Sequence, residues 1–310
     1  MSGAESLSGW LPPVASANAA RVDALFLALL GLCGAMALAV CVLVITFCVR
    51  YRRGSRIPRG TPPRQLRAVE VLWTVLPLLL FIPLCGWAAY DYLWQNRAPS
   101  DAMPVFVVAK QWMWTLEHSN GRREINQMHV LLGRPVRLLM TSQDVIHSFF
   151  VPAFRLKQDV VPGRYTALSF TPIRLGTYDL YCAEYCGTEH SVMRGQVIVL
   201  PAAEFASWLA AGGAPGDLAR RGERLFREHG CSGCHAGSGA RAPALSGLLG
   251  STVILSDGRR LVADENYVRE SILRPGKEIV AGYAATMPDY AGQLSEPDLL
   301  ALIEYIRSLP

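Results

Sequence analysis

The sequence has 310 residues, of which 51% are hydrophobic and only 18% are charged, and its formal net charge is +5. Ordinary soluble domains carry about 25% charged residues, so this composition argues against a wholly soluble protein. Residues 1–90 hold 8 Arg or Lys and 3 Asp or Glu, whereas residues 91–213 have a net charge of +1 and residues 214–310 of −1. Nucleic-acid binding by the nearly neutral last two thirds therefore has no electrostatic basis.

Two long runs without a charged side chain follow the first 20 residues, at positions 24–49 and 71–90. As helices they would extend about 39 Å and about 30 Å, enough to cross a bilayer core of about 30 Å. The first run is too long for the apolar region of a secretory signal, and most of the neighbouring arginines follow it rather than precede it. The sequence therefore predicts an N-terminal segment, residues 1–20, and a transmembrane hairpin, residues 21–95.

The loop between the two runs is basic and has no acidic residue. Its arginines are Arg50, Arg52, Arg53, Arg56, Arg59, Arg64 and Arg67. The positive-inside rule puts this loop in the cytoplasm and both chain termini outside a bacterial cell membrane. The cysteines inside the apolar runs, Cys33, Cys41, Cys48 and Cys85, are interpreted as small apolar packing residues.

An all-β domain is predicted over residues 96–211, as a sandwich or barrel. Its expected strand regions, rich in Val, Leu, Thr, Tyr and Phe, are 104–118, 125–142, 164–172, 176–182 and 194–201. The pair Asn120-Gly121 is typical of a hairpin turn. A short helix is expected over residues 202–211.

A small helical domain is predicted over residues 217–310, after a Gly- and Pro-containing linker at 212–216. Its expected helices are 217–230, 264–273 and 296–308, with a small hairpin at 253–262. A flexible connection of about ten residues spans about 17 Å on average. Since the domain charges of +1 and −1 are too small to steer docking, we expect this tether to keep the two domains together, with little dependence on salt.

The β domain contains a cluster of possible metal ligands in YCAEYCGTEHSVM, residues 181–193: Cys182, Cys186, His190 and Met193, with His147 upstream. Thiolate, imidazole and thioether groups suit copper, and the second cysteine would let two thiolates bridge two copper ions. A Cys182–Cys186 disulfide is the alternative, and zinc is disfavoured because methionine is a poor zinc ligand. His118 and His129 lack ligand-like spacing and are interpreted as surface or strand residues.

The helical domain contains CSGCH at residues 231–235. Cys-x-x-Cys-His is the covalent attachment motif of c-type haem, with Cys231 and Cys234 as the attachment sites and His235 as axial ligand. A thioredoxin-like CxxC would need a preceding strand, whereas a helix is predicted here. Met287 is the single methionine after the motif and is the predicted sixth ligand.

These motifs resemble subunit II of haem-copper cytochrome c oxidases over about residues 20–205. The similarity extends through EVLWTVLP (70–77), QWMWT (111–115) and DVIHSFFVPAFRLKQDVVPGR (144–164). With the haem motif, the chain is similar to fused subunit II–cytochrome c chains of the caa3 type over nearly its whole length. The implied architecture is a multidomain membrane protein with a two-helix hairpin, a cupredoxin-like all-β domain and a small all-α cytochrome c domain.

The resemblance implies that His147, Cys182, Cys186, His190 and Met193 bind the binuclear copper centre CuA, and that Glu184 supplies a backbone carbonyl. The Glu184 carboxylate would reach a magnesium ion shared with subunit I. Electrons would enter through Trp112, and Asp144 and Asp159 would belong to an acidic docking rim, although isolated carboxylates are equally compatible with solvated loops. Glu70 would mark the mouth of a K-type proton path, with an interfacial pair to Arg67 as the alternative.

The implied function is to take electrons from a reduced cytochrome or an upstream respiratory complex. They would pass through covalently bound haem c and CuA to subunit I, for dioxygen reduction coupled to proton translocation. A CuA-bearing subunit of a nitric-oxide reductase and a free-standing membrane cytochrome are the rival hypotheses. A quinol-oxidase subunit II would not need the complete copper ligand set.

Overall fold

The computed structural model describes residues 11–57, 66–95, 99–212, 217–235 and 241–310. The chain divides into two compact units: Ala17–Arg97, and Met1–Ser16 together with Ala98–Pro310.

The first unit is a pair of long helices, α1 (Ala19–Arg50) and α2 (Leu66–Gln95). Both are long and apolar enough to cross a membrane. Pro77 and Pro83 lie inside α2, a position that membrane helices tolerate because side chains and neighbouring helices can satisfy the freed carbonyls. The two predicted helices are confirmed. Arg59 and Arg64 of the basic loop lie outside the described residues.

The second unit begins with a sandwich of two five-stranded sheets. The first sheet has the order β3-β2-β1-β5-β8 and the second β4-β10-β9-β6-β7. In chain order the strands are β1 (Met103–Lys110), β2 (Met113–His118), β3 (Arg123–Ile125), β4 (Gln127–Leu131), β5 (Val136–Ser142), β6 (His147–Val151), β7 (Leu156–Val160), β8 (Thr166–Phe170), β9 (Gly176–Cys182) and β10 (Arg194–Leu200). The predicted all-β domain is confirmed as a sandwich.

Strands β6 and β7 were not among the predicted strand regions. A short 3-10 helix, Pro152–Phe154, separates them, and Arg155 after it has a φ of 53°. Three of the five residues of β7 are polar, so the segment lacks the apolar content of a strand such as β1. Pairing of β6 with β7 over residues 147–160 nevertheless places His147 at the first position of β6.

The sandwich interior holds the side chains on one side of each sheet. Val105, Val107 and Ala109 of β1 point into it and are fully buried with Trp114 and Phe149. Because successive side chains alternate across a strand, Phe106 and Val108 point to the opposite side. They are buried as well, since the helical domain covers this outer face of the first sheet.

The helical part follows α3 (Ala202–Ala210) and contains α4 (Asp217–Glu228), α5 (Ser232–His235), α6 (Glu265–Leu273) and α7 (Glu296–Ser308). A small antiparallel pair, β11 (Thr252–Ile254) and β12 (Arg260–Val262), precedes α6. The predicted helices and the small hairpin are confirmed. Residues 213–216 of the predicted linker lie outside the described residues.

Local sequence explains where the last two helices begin. The Asp264 side chain accepts a hydrogen bond from Tyr267 N at 2.8 Å, and the Ser295 side chain caps α7 in the same way. Helix α4 crosses α7 at Gly222, where a Cβ atom would lie 1.9 Å from the carbonyl oxygen of Ala301. Only glycine permits this approach of the two backbones.

Candidate metal centres

The loop between β9 and β10 brings four of the predicted copper ligands together. Cys182 is the last residue of β9, and its backbone N–H donates to Met193 O at 3.2 Å, so the loop closes on itself. A 3-10 turn over His190–Val192 leads the second half of the loop back to the start of β10. Gly187 has a φ of +119°, and a Cβ atom there would lie 2.8 Å from the Gln111 amide nitrogen. The loop is therefore packed closely against the β1–β2 connection.

The donor atoms of these residues converge. Cys182 Sγ lies 3.8 Å from Cys186 Sγ and 3.9 Å from His147 Nδ1. Cys186 Sγ lies 3.4 Å from His190 Nδ1 and 3.8 Å from Met193 Sδ. Each histidine thus faces a different cysteine, and the two thiols between them are free, without a disulfide.

A backbone carbonyl completes this donor set, since Glu184 O lies 3.3 Å from Cys182 Sγ. The Glu184 side chain is exposed. The two thiols therefore form a shared centre with one imidazole beside each of them. The carbonyl lies on the Cys182 side, and the thioether lies on the Cys186 side. This set suits copper, because soft sulfur ligands and imidazole are preferred by that metal.

Hydrogen bonds from neighbouring residues fix the orientation of two of these ligands, His147 and Cys186. His147 Nε2 lies 2.8 Å from Asp144 Oδ1, which leaves Nδ1 directed at Cys182. The Cys186 carbonyl accepts hydrogen bonds from Gln111 Nε2 at 2.8 Å and from the indole N–H of Trp112 at 3.3 Å. Such partners orient metal ligands and select the histidine tautomer.

The charge balance of the thiols also favours a cation. Burial opposes ionisation of Cys182, but the hydrogen bond to His147 and those from backbone groups outweigh it and lower its pKa to about 6. Burial and the neighbouring Cys182 charge raise the pKa of Cys186 to about 12. One thiolate therefore forms readily, whereas the second needs the positive charge of a bound metal.

Two residues of the haem motif line a cavity of about 480 Å³ in the helical domain. Cys231, His235 and Met287 all line it, and the other lining side chains are mainly apolar, among them Phe226 and Val268. His235 Nδ1 lies 3.0 Å from Pro243 O, so Nε2 is left available to bind iron. The residues present fit a covalently attached haem with His and Met as axial ligands.

The structure also shows the positions of the predicted electron-entry, docking-rim and proton-uptake residues. Trp112 is half-buried between β1 and β2, directly beside Cys186. Asp144 supports His147, whereas Asp159 accepts a hydrogen bond from Ser148 on the neighbouring strand at 2.8 Å. Glu70 is exposed on α2 within its own unit.

His118 and His129 are strand residues, as predicted, but they form a buried network. Glu124 bridges them, at 2.9 Å from His118 Nε2 and 2.5 Å from His129 Nδ1. Trp208 of α3 stacks on His129 with ring centroids 4.5 Å apart. This ring stacking holds α3 on the sandwich, together with hydrogen bonds from Asn120 Nδ2 to Leu209 O at 2.9 Å and from Arg122 to Trp208 O.

The expectation that a tether alone joins the β and helical domains is incomplete. Glu265 of α6 pairs with Arg137 of β5 at 2.5 Å and with Arg307 of α7 at 2.7 Å. Burial disfavours the Glu265 charge, but the two arginines outweigh it and lower its pKa to about 2. On the other side of β1, Arg221 of α4 lies 3.5 Å from Glu117 of β2. The sequence contained one sign of this contact, an apolar run over residues 105–109 that is typical of a strand buried on both faces.

Comparisons with known proteins agree with the division of the chain into membrane helices, a β-sandwich and a helical domain. Family models match the cytochrome c oxidase subunit II transmembrane domain at residues 4–87, the subunit II periplasmic domain at 123–200 and cytochrome c at 219–310. Cytochrome c oxidase subunit 2 of Alkalihalophilus pseudofirmus is 30% identical over 293 residues, covering 88% of this chain and 84% of that protein. The chain belongs to the cytochrome c oxidase subunit II family. Its β-sandwich is the cupredoxin-like periplasmic domain of subunit II, and the cytochrome c domain follows it.

A second subunit II relative, from Thermostichus vulcanus, is 29% identical over 255 residues, which are 64% of this chain and 77% of that protein. Among solved structures, the periplasmic domain of subunit II of cytochrome oxidase from Bradyrhizobium japonicum is 28% identical, with a TM-score of 0.36. The match covers 37% of this chain and 96% of that structure. The subunit II family implies copper in the β domain, and the cytochrome c family implies haem in the helical domain.

Proposed function

We propose that this chain brings electrons into a bacterial caa3-type oxidase. In this proposal electrons pass from a reduced cytochrome or an upstream respiratory complex to haem c and CuA of this chain. They continue to subunit I, where dioxygen is reduced to water with proton translocation. The observation that carries the proposal is the presence, in one chain, of the converging sulfur and imidazole donors and of the cavity that holds Cys231, His235 and Met287. Metals and haem supply the redox chemistry, and the protein orients and buries them.

The proposed copper ligands are His147, Cys182, Cys186, His190, Met193 and the Glu184 carbonyl. The distances above support one imidazole for each copper ion and two shared thiolates. The exposed Glu184 carboxylate is proposed to reach a magnesium ion at the subunit I interface. Trp112 is proposed as the residue through which electrons reach CuA, because its indole N–H contacts the Cys186 carbonyl.

Cys231 and Cys234 are proposed as the thioether attachment sites of haem c, with His235 and Met287 as axial ligands. The corresponding domains are an N-terminal segment (1–20), a transmembrane hairpin (21–95), the CuA domain (96–211), a linker (212–216) and the cytochrome c domain (217–310). Purification in mild detergent tests the whole proposal. We expect a large polytopic partner, two copper ions and one covalent haem per chain, and oxygen uptake with reduced cytochrome. Recovery of this chain without such a partner would support a free-standing cytochrome instead.

The basic loop at residues 50–67 is predicted to lie in the cytoplasm, and both metal domains outside the bacterial cell membrane. Seven arginines without an acidic residue favour the cytoplasmic side. A Ser55→Cys variant should resist a membrane-impermeant thiol reagent added to intact cells. The control variant Ser207→Cys, on the exposed side of α3, should react. Labelling of residue 55 from outside would reverse the topology.

Glu70 is proposed to take up protons, because a carboxylate at the edge of an apolar run can exchange protons with water and supply an interior path. Glu70→Gln should slow turnover several-fold while CuA is reduced at its normal rate. Stopped-flow reduction of CuA and steady-state oxygen uptake measure the two separately. Glu204→Gln on α3 is the control. Unchanged turnover over the whole pH range would leave Glu70 with a structural role.

A further inference from the structure

The start of strand β8 carries an unusual contact with the helical domain. β8 is an edge strand of the first sheet, so the backbone groups leading into it have no neighbouring strand on one side. The Asn266 amide of α6 occupies that side: its Oδ1 accepts from Tyr165 N at 2.5 Å, and its Nδ2 donates to Tyr165 O at 3.1 Å. Arg269, one turn later, donates to Gly163 O at 2.7 Å. The side chains of one helix thus pair with the edge of the sheet as another strand would.

Apolar and charged contacts extend this attachment across the sheet. Phe106, Val108 and Leu139 of the outer face, with Tyr165, are buried in one cluster with side chains of the helical domain. The Arg137–Glu265 pair lies on β5, and the Arg221–Glu117 pair lies on β2. Attachment points lie on both sides of the apolar cluster. The contact therefore fixes the orientation of the helical domain relative to the β domain as well as the distance between them.

Helix α6 also forms a wall of the cavity assigned to haem. Tyr267, Val268, Ser271 and Ile272 line the cavity, whereas Glu265, Asn266 and Arg269 contact the β domain. With 3.6 residues per turn, these two sets fall largely on different sides of the helix. A single helix of two and a half turns therefore separates the cavity from the sheet edge.

The sheet edge in turn leads to the copper donors. Pro162 forms a β-bridge with Ser142, and the Ser142 hydroxyl donates to Asp144 Oδ1 at 3.2 Å. The same Asp144 oxygen lies 2.8 Å from His147 Nε2. The segment at residues 162–165 thus lies between α6 and the His147 side of the donor cluster, whereas Trp112 lies on its Cys186 side.

We propose that α6, through Asn266 and Arg269, docks the cytochrome c domain at one fixed position on residues 162–165, and that electrons cross from this domain to the His147 side of CuA through that contact. Asn266 and Arg269 are positioning residues. The electron route rests on the proposed function, in which it replaces Trp112 as the entry for electrons that come from haem c; the docking itself does not rest on that function. Transfer from a docked domain needs no search by a tethered domain, so its rate should not depend on solvent viscosity.

The test uses the purified oxidase with Asn266→Asp. Aspartate is favourable near the start of a helix, so α6 should persist, but the new oxygen faces the Tyr165 carbonyl and the donated hydrogen bond is lost. We expect hydrogen exchange at residues 163–168 to become about tenfold faster through loss of docking. Transfer from haem c to CuA after flash reduction should slow and become viscosity-dependent, with both absorption spectra unchanged. Gln293→Glu, the same amide-to-acid change on an exposed loop of this domain, should behave as the wild type.

A second variant approaches the contact from the β domain. Arg137→Gln should change exchange and transfer in the same direction but less, because Arg307 still pairs with Glu265. Arg134→Gln, at a neighbouring exposed position, is its control. Unprotected amides at 163–168 in the wild type would refute the docking. Faster exchange with an unaltered transfer rate would refute the route. Absence of copper or haem from the wild-type complex would instead refute the proposed function and leave the exchange result valid.

Discussion

The Cys186→Ser variant is expected to lose the binuclear copper centre. In the structure Cys186 faces both Cys182, at 3.8 Å between sulfur atoms, and His190, at 3.4 Å. Serine cannot replace a thiolate as a soft bridging ligand, so at most one copper ion should remain, bound by Cys182 and His147. We expect the mixed-valence electron paramagnetic resonance signal to disappear and the copper content to fall from two ions to one or none.

The same variant should keep its haem, because the cavity and the CSGCH motif belong to the helical domain. Copper analysis, the resonance spectrum and a pyridine haemochrome spectrum on one sample measure all three effects. Cys85→Ser, in the apolar part of α2, is the matched control and should retain both copper ions. A wild-type protein with one copper ion and a blue-copper spectrum would contradict the binuclear assignment.

The copper loop illustrates what a sequence can predict about a site. Four donors lie within residues 182–193, so a single closed loop brings them together whatever the rest of the fold does. His147 is 35 positions before Cys182, so its distance from the loop could not be predicted from spacing. It was included as the upstream histidine of the donor set, and the family resemblance then implied its role as a copper ligand. The structure supplies the physical cause, a strand β6 that pairs with the end of β9 at Phe149 and Cys182.

The contact between the β and helical domains shows where sequence reasoning was insufficient. Net charges of +1 and −1 argued against electrostatic docking, but the structure uses local pairs such as Arg137–Glu265, which a sum over a domain conceals. The apolar run at residues 105–109 indicated a second buried face of β1, yet could not identify what covers it. That information depends on Asn266 and Arg269, polar side chains whose partners lie more than 100 positions away.

The buried histidine network is a similar case. His118 and His129 were interpreted as surface or strand residues because they lack ligand-like spacing, and both lie in strands, β2 and β4. Their partner Glu124 could not be chosen from sequence, because several acids lie within reach of either histidine. In the structure His118 and Glu124 hydrogen-bond to each other on adjacent strands, which lowers the pKa of Glu124 even though burial alone would raise it.

The Met287→His variant is expected to retain its haem and to lower the reduction potential of that haem. Met287 lines the same cavity as His235, whose Nδ1 is held by Pro243 O and whose Nε2 is free to bind iron. The proposed covalent attachment through Cys231 and Cys234 does not involve the sixth ligand. A thioether ligand favours reduced iron relative to a second imidazole, so replacing Met287 stabilises the oxidised haem. A fall of about 59 mV corresponds to a tenfold change in the equilibrium constant of a one-electron couple, and we expect a fall larger than this.

A lower potential makes haem c a stronger reductant for CuA and a poorer acceptor from its own donor, so reduction of haem c by an outside cytochrome should become the slow step. Redox titration of the haem α-band and stopped-flow reduction measure the two effects, with Met113→His on the exposed side of β2 as control. An unchanged potential would show that Met287 does not bind the iron, and loss of covalent haem would show that this part of the cavity is needed for attachment.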